Sequence, residues 1–133
     1  YRARSYLFFA LYNIFNFSET TQCAVSNVDI TPCRHKSACP LKIGKNATIS
    51  YDFIPEFAAT ELETDVSWEH VSFGGIERDA CQSTSCPVSA GVKQTLTYIL
   101  LLRKNGLFEI KWKLWNKADE TQLCCFMTKI KIV

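Results

Sequence analysis

Four stretches of this chain alternate apolar and polar residues with a period of two, and few folds satisfy that pattern. Ala47, Ile49, Tyr51 and Phe53 alternate with Thr48, Ser50 and Asp52. Leu62, Thr64, Val66 and Trp68 alternate with Glu61, Glu63, Asp65, Ser67 and Glu69. Phe108, Ile110, Trp112 and Leu114 alternate with Glu109, Lys111 and Lys113. Phe126, Thr128, Ile130 and Ile132 alternate with Met127, Lys129 and Lys131. Successive side chains of an extended strand point to opposite faces, so each stretch predicts a strand with one buried and one wet face. Residues 25–30 predict a further short strand. Residues 94–102 are apolar on both faces near their end, which places them centrally in a sheet or beside a covering loop.

Turn signals separate these runs: Thr31-Pro32, Cys39-Pro40, Gly44, Pro55, Gly74-Gly75, Cys86-Pro87, Gly91 and Asn105-Gly106. Asn105-Gly106, between Leu102 and Phe108, reads as a hairpin turn needing positive φ. No segment carries a 3.6-residue period and there is no internal repeat. Six or seven strands predict an all-β, two-sheet antiparallel sandwich.

The 133 residues suffice for one domain. No apolar run reaches the roughly 18 residues that span a bilayer. A net charge of +2 gives no reason to expect nucleic acid as a partner. Residues 1–18 stand apart: Arg2 and Arg4 precede the run Tyr6-Leu7-Phe8-Phe9-Ala10-Leu11-Tyr12, the layout of a secretory signal peptide, though Asn13 and Asn16 interrupt it. They are expected to be a signal-like leader or an apolar segment packed on the domain of residues 19–133.

Seven cysteines in a domain of this size indicate an oxidising compartment, hence a secreted protein, with a lysosomal lumen as the other setting. Three bridges and one odd thiol allow 105 connectivities, seven choices of the odd thiol times fifteen pairings of six. Cys33 and Cys39 could staple one tight loop and Cys81 and Cys86 another. A bridge from Cys23 to the Cys124-Cys125 pair would close a loop of about 100 residues, stabilising by roughly 4–5 kcal/mol in the chain-entropy picture. Strand parity puts Cys124 inward with Phe126 and Cys125 on the opposite face with Lys129 and Lys131.

Other chemistry finds little support. His35 lies between Cys33 and Cys39, but the spacing is not that of a zinc knuckle, so no metal and no cofactor is expected. No signature links His35 or His70 to a nucleophile, and Gly74-Gly75 lacks the residues of a phosphate loop, so no catalytic residue is assigned and the chain is read as a non-enzyme. The acids Glu61, Glu63, Asp65 and Glu69, and the bases Lys93, Arg103, Lys104, Lys111, Lys113, Lys117, Lys129 and Lys131, read first as solvated strand faces. Asn46-Ala47-Thr48 is an N-glycosylation sequon at a strand start. The inward faces carry much aromatic bulk: Tyr51, Phe53, Trp68, Phe73, Tyr98, Phe108, Trp112 and Phe126. Either the sheets pack tightly on these rings, or they splay and the rings line a cavity.

The chain resembles the ML lipid-recognition domain family, in particular its Niemann-Pick type C sterol-carrier branch, with mite group-two allergens as cousins. The resemblance rests on Cys23, Val28-Asp29-Ile30-Thr31-Pro32-Cys33, Cys39-Pro40-Leu41, Gly44-Lys45, Asp79-Ala80-Cys81, Cys86-Pro87-Val88 and Leu123-Cys124-Cys125-Phe126, across about residues 22–133. It implies an immunoglobulin-like sandwich with an internal hydrophobic cavity, and the pairing Cys23–Cys125, Cys33–Cys39 and Cys81–Cys86. It implies a pocket mouth at Phe73, walls at Leu96, Leu100 and Leu102, and ring positions at Trp112 and Phe126. With the inward faces, the implied lining is Tyr51, Phe53, Val66, Trp68, Phe73, Leu96, Tyr98, Leu100, Leu102, Phe108, Ile110, Trp112, Cys124, Phe126 and Ile130. The implied function is that of a secreted, monomeric carrier, of an arthropod type, for a long-chain fatty acid, a sterol or a semiochemical-like lipid. Its partners would be that lipid and, transiently, a membrane or receptor. The competing expectation is a protein–protein recognition module with a filled core.

Overall fold

The computed structural model describes residues 14–15, 21–31, 41–69, 71–72 and 76–133. Eight strands are present: β1 (Ile14–Phe15), β2 (Cys23–Thr31), β3 (Asn46–Pro55), β4 (Leu62–Trp68), β5 (Val71–Ser72), β6 (Gln94–Leu101), β7 (Gly106–Asn116) and β8 (Asp119–Ile132). A single 3-10 turn, Ala80–Gln82, is the only helical element among the described residues. The strands form two sheets, a larger one in the order β1-β8-β7-β4-β5 and a smaller one in the order β2-β3-β6. All pairings are antiparallel.

The four alternating stretches fall on β3, β4, β7 and β8, and their apolar series faces the opposing sheet. In β3, Ala47, Ile49, Tyr51, Phe53 and Pro55 are buried while the residues between them are partly exposed. Phe108, Ile110, Trp112 and Leu114 do the same in β7. Neither sheet is buried on both faces, as period-two patterning requires.

Local devices fix the strand geometry. Asn27, at φ +52°, takes the extra residue of a bulge between Ser26 and Asp29. Asparagine tolerates the left-handed region better than most residues, and the Asn27 amide donates to Asp52 Oδ2 at 2.7 Å. β7 and β8 are joined by a hairpin at Lys117-Ala118, where Asn116 Oδ1 accepts from the Ala118 N–H at 3.0 Å. No glycine marks that turn, and the sequence pattern did not point to it.

Asn105-Gly106 is not a hairpin turn. β6 pairs with β3 in the small sheet, whereas β7 pairs with β4 and β8 in the large one, so these residues carry the chain from one sheet to the other. The apolar faces of β6 and β7 meet across the sandwich instead of lying side by side. Gly106 does have positive φ, at +142°, and a Cβ there would stand 3.3 Å from the Phe108 ring. The glycine thus serves a crossover rather than a tight turn. β6 proves to be an edge strand flanked by a loop: the Thr97 N–H donates to Ser83 O and the Thr84 hydroxyl to Thr95 O.

The sandwich has two unlike margins. Along the β2–β8 side the sheets are joined repeatedly. The Gln22 N–H donates to Leu123 O at one end, and Leu41 and Ile43 bond to Lys131 O and Val133 O at the other. A disulfide crosses the same side, between Cys23 and Cys124, with Cα atoms 5.0 Å apart. The family resemblance implies Cys23–Cys125, whereas the structure brings Cys23 to Cys124. Cys23 and Cys124 are both buried and come from different sheets. Cys125, buried on the opposite face of β8, donates its backbone N–H to Thr21 Oγ1.

On the β4–β6 side, residues 78–84 form a strap. Arg78 O accepts from the Thr64 N–H of one sheet and Ser83 O from the Thr97 N–H of the other. The Cys81–Cys86 disulfide is present in that segment as expected, with an S–S distance of 2.04 Å. Cys33, Cys39, His35, His70 and Phe73 lie outside the described residues, as does most of the expected leader.

Candidate functional site: the ring-lined interior and its cleft

The space between the sheets is occupied by aromatic rings contributed from both sides. Tyr51 of β3 meets Phe126 of β8 edge-on, with ring centroids 4.9 Å apart. Trp112 of β7 stacks on Phe126 at 6.0 Å and on Tyr98 of β6 at 6.2 Å. Strand parity brings these rings to one plane, because each is at an inward position of its strand. The described members of the expected lining are all buried except Trp68, which is half-buried and packs against the core. Side chains from the two sheets are thus in direct contact across the part of the interior that holds Tyr51, Tyr98, Trp112 and Phe126.

Polar atoms inside are few and mostly matched. The Trp112 indole N–H donates to Thr128 Oγ1 at 2.8 Å, with both residues fully enclosed. The Thr64 hydroxyl donates to Lys113 O at 2.7 Å. Tyr98 Oη is enclosed without a hydrogen-bond partner among the described residues, with Thr64 as its polar neighbour. Burial pushes the Tyr98 phenol well above its ordinary pKa, helped by the neighbouring Tyr51, and burial raises Tyr51 likewise. Both phenols stay neutral, and Tyr98 retains an uncommitted donor in an apolar interior.

A cleft of about 170 Å³ opens at one end of the β4–β6 side, lined by Trp68, Val71, Ser72, Leu101, Arg103, Lys104 and Phe108. Trp68 and Phe108 meet edge-to-face at 5.0 Å, which joins the cleft to the core. Trp68 and Phe108 are in the expected lining. Val71, Ser72, Leu101, Arg103 and Lys104 are not, because only the crossover at residues 102–105 brings Lys104 over Trp68 and Arg103 to the same cleft. Their sequence signal is the change from the apolar run 98–102 to Arg103-Lys104, which by itself marks no more than a strand end.

The outer faces carry dispersed ion pairs: Arg78 with Asp65, Lys93 with Asp52, Lys117 with Glu61 and Lys129 with Glu109. These are solvated strand faces, as the alternation indicated. No group of three His, Cys, Asp or Glu residues suited to a metal occurs among the described residues. Asn46 of the sequon is exposed at the start of β3.

Two antiparallel sheets closed over a ring-lined apolar interior, with a cleft at one margin and disulfides tying the frame, define an immunoglobulin-like β-sandwich of the lipid-recognition class. The chain belongs to the ML domain family, whose pattern matches residues 18–132. It is 42% identical over 130 residues to an MD-2-related lipid-recognition protein of Manduca sexta, covering 91% of this chain and 83% of that protein. Its fold is similar to the crystal structure of a Niemann-Pick type C2 protein from the Japanese carpenter ant, with a TM-score of 0.72 at 20% identity, covering 90% of this chain and all of that one. Proteins of this family bind lipids and are not enzymes.

Proposed function

We propose that this protein is a secreted carrier that holds one hydrophobic ligand, a long-chain fatty acid, sterol or semiochemical-like lipid, between its two sheets. The observation that carries the reading is the belt of interior rings, Tyr51, Tyr98, Trp112 and Phe126, held by side-chain contact alone across the gap. Membership of the ML domain family supports it. Two disulfides fit an oxidising compartment, and no helix of the described residues is long and apolar enough to cross a membrane.

The driving force is apolar burial. A 16-carbon chain moved from water into such an interior gains on the order of 12 kcal/mol, before ordering costs. The cleft, about 170 Å³, is below the roughly 300–1,000 Å³ of ordinary ligand pockets. The cleft by itself is too small for a whole chain, so in this reading the ligand extends from it between the sheets, selecting a more open arrangement of them.

The direct ring contacts between the sheets favour one competing reading, a recognition module whose core never opens. Native mass spectrometry of the purified protein, together with displacement of a fluorescent fatty acid, separates the two. A co-purifying lipid or displacement at micromolar ligand supports the carrier. Absence of both, from protein that remains folded, leaves the recognition module.

A further inference from the structure

The cleft beside β4 and β6 differs from the interior in carrying charge. Its floor is the edge-to-face pair Trp68 and Phe108, and Leu101 and Val71 extend the apolar surface, Val71 being 59% exposed. Arg103 and Lys104 complete the wall, and Lys104 Nζ stands 5.4 Å from the centroid of the Trp68 ring. Among the described residues no carboxylate lines this cleft. Among the described residues neither Arg103 nor Lys104 forms an ion pair, whereas Arg78, Lys93, Lys117 and Lys129 each have an acidic partner. Two acids on the neighbouring strands have other partners. Glu109 is on the face of β7 opposite Phe108 and pairs with Lys129, and Asp65 takes Arg78 and the Ser72 hydroxyl. Two cations with no counter-ion over an apolar aromatic floor form an amphiphilic surface whose missing element is an anion attached to a hydrocarbon.

We propose that this cleft seats the head and first methylenes of a single-chain amphiphile with an anionic head, a carboxylate or a phosphate monoester. Arg103 offers a planar fork of donors that fits either anion, and Lys104 a second point charge. The first methylenes lie over Trp68 and Phe108, and the chain runs on toward the Trp112 stack. The volume agrees: about 170 Å³ is close to cavities that take a benzene-sized group, enough for a head and a few carbons. The proposal rests on the lipid-carrier reading and adds to it the charge of the cargo and the end at which its head sits.

The test compares matched ligands in displacement titrations on the full chain at low and high salt: palmitate against cetyl alcohol, and a lysophosphatidate against the corresponding monoacylglycerol. The wild type is expected to bind the anionic member about tenfold more tightly at low salt, with the margin shrinking at high salt. The double variant Arg103→Gln/Lys104→Gln is expected to lose that preference while keeping its affinity for the neutral member and its thermal midpoint. Preference confined to carboxylate or to phosphate still supports the site and identifies the head. Equal binding of both members by the wild type overturns the proposal, as does a double variant that weakens both members equally. Binding of no member at all overturns the carrier reading itself, a result distinct from loss of the charge preference.

Discussion

Thr128 is a polar residue at the centre of an apolar interior, and its position is explained by one bond. Its hydroxyl accepts the Trp112 indole N–H at 2.8 Å, with no water in reach of either group. A buried donor left without an acceptor costs about 1–3 kcal/mol. Thr128→Val keeps the shape and removes the acceptor, so it is expected to lower the unfolding free energy by about that amount in urea titrations at an unchanged m-value. Thr128 and Thr64 could be placed inward from the sequence, since both stand in the apolar series of their strands. That Thr128 serves Trp112 could not, because the bond joins neighbouring strands whose register depends on the Lys117-Ala118 hairpin. The same limit applies to Arg103 and Lys104, whose relation to Trp68 exists only after the chain has changed sheets.

Within the small sheet, Asp52 ties three strands together. From β3 it accepts hydrogen bonds from Asn27 of β2 and Thr95 of β6, at 2.7 and 2.6 Å, and Lys93 stands 3.7 Å away. Burial alone would raise its carboxyl, but those hydrogen bonds and the Lys93 ammonium outweigh it and hold the pKa below the ordinary value. A carboxylate lowered in the folded state stabilises above its unfolded pKa, near 4, and loses that contribution as the pH falls through the folded value. Asp52→Asn is accordingly expected to cost about 1–2 kcal/mol at pH 7, and the gap to wild type should close as the pH is lowered from about 4 toward 2 in chemical denaturation. Strand existence and parity were legible throughout because period two survives any topology. The partner of each strand was less so. Asn105-Gly106 carries the chemistry of a hairpin turn, and nothing local distinguishes a turn within one sheet from a passage between two.

For the molecule as a whole, the bridge between Cys23 and Cys124 is the long-range covalent constraint, spanning 101 residues of sequence. Cys124→Ala is expected to expose Cys23 to alkylation and to lower stability by about 4 kcal/mol, the loop-closure estimate. Cys125→Ala should leave Cys23 protected and cost less. Counting alkylated thiols by mass under denaturing, non-reducing conditions checks both, and protection of Cys23 in the Cys124→Ala variant would show that Cys125 takes the bond instead. The cysteine count indicated a framework, and parity had already turned Cys124 toward the other sheet. Parity also left Cys125 to reach a neighbouring segment, and the family resemblance agreed in giving the bridge to Cys125, so the pairing with Cys124 was not legible in the sequence.

The unequal margins have a mechanical consequence. One long side is bound like the spine of a book, with Gln22 bonded to Leu123 at its head, Leu41 and Ile43 to β8 and the C-terminus at its foot, and a covalent stitch at Cys23 and Cys124. Among the described residues the fore-edge is held by a clasp, residues 78–84, and below the clasp the pages part over Trp68 and Phe108. Among the described residues, leafing open from that edge breaks the backbone bonds of Thr64 and Thr97, whereas opening at the spine breaks those of Gln22, Leu41, Ile43 and Val133 and strains a covalent bond as well. Hydrogen exchange should therefore find the amides of Thr64 and Thr97, which hold the clasp, less protected than those of Gln22 and Val133, with a bound ligand slowing the former and scarcely touching the latter.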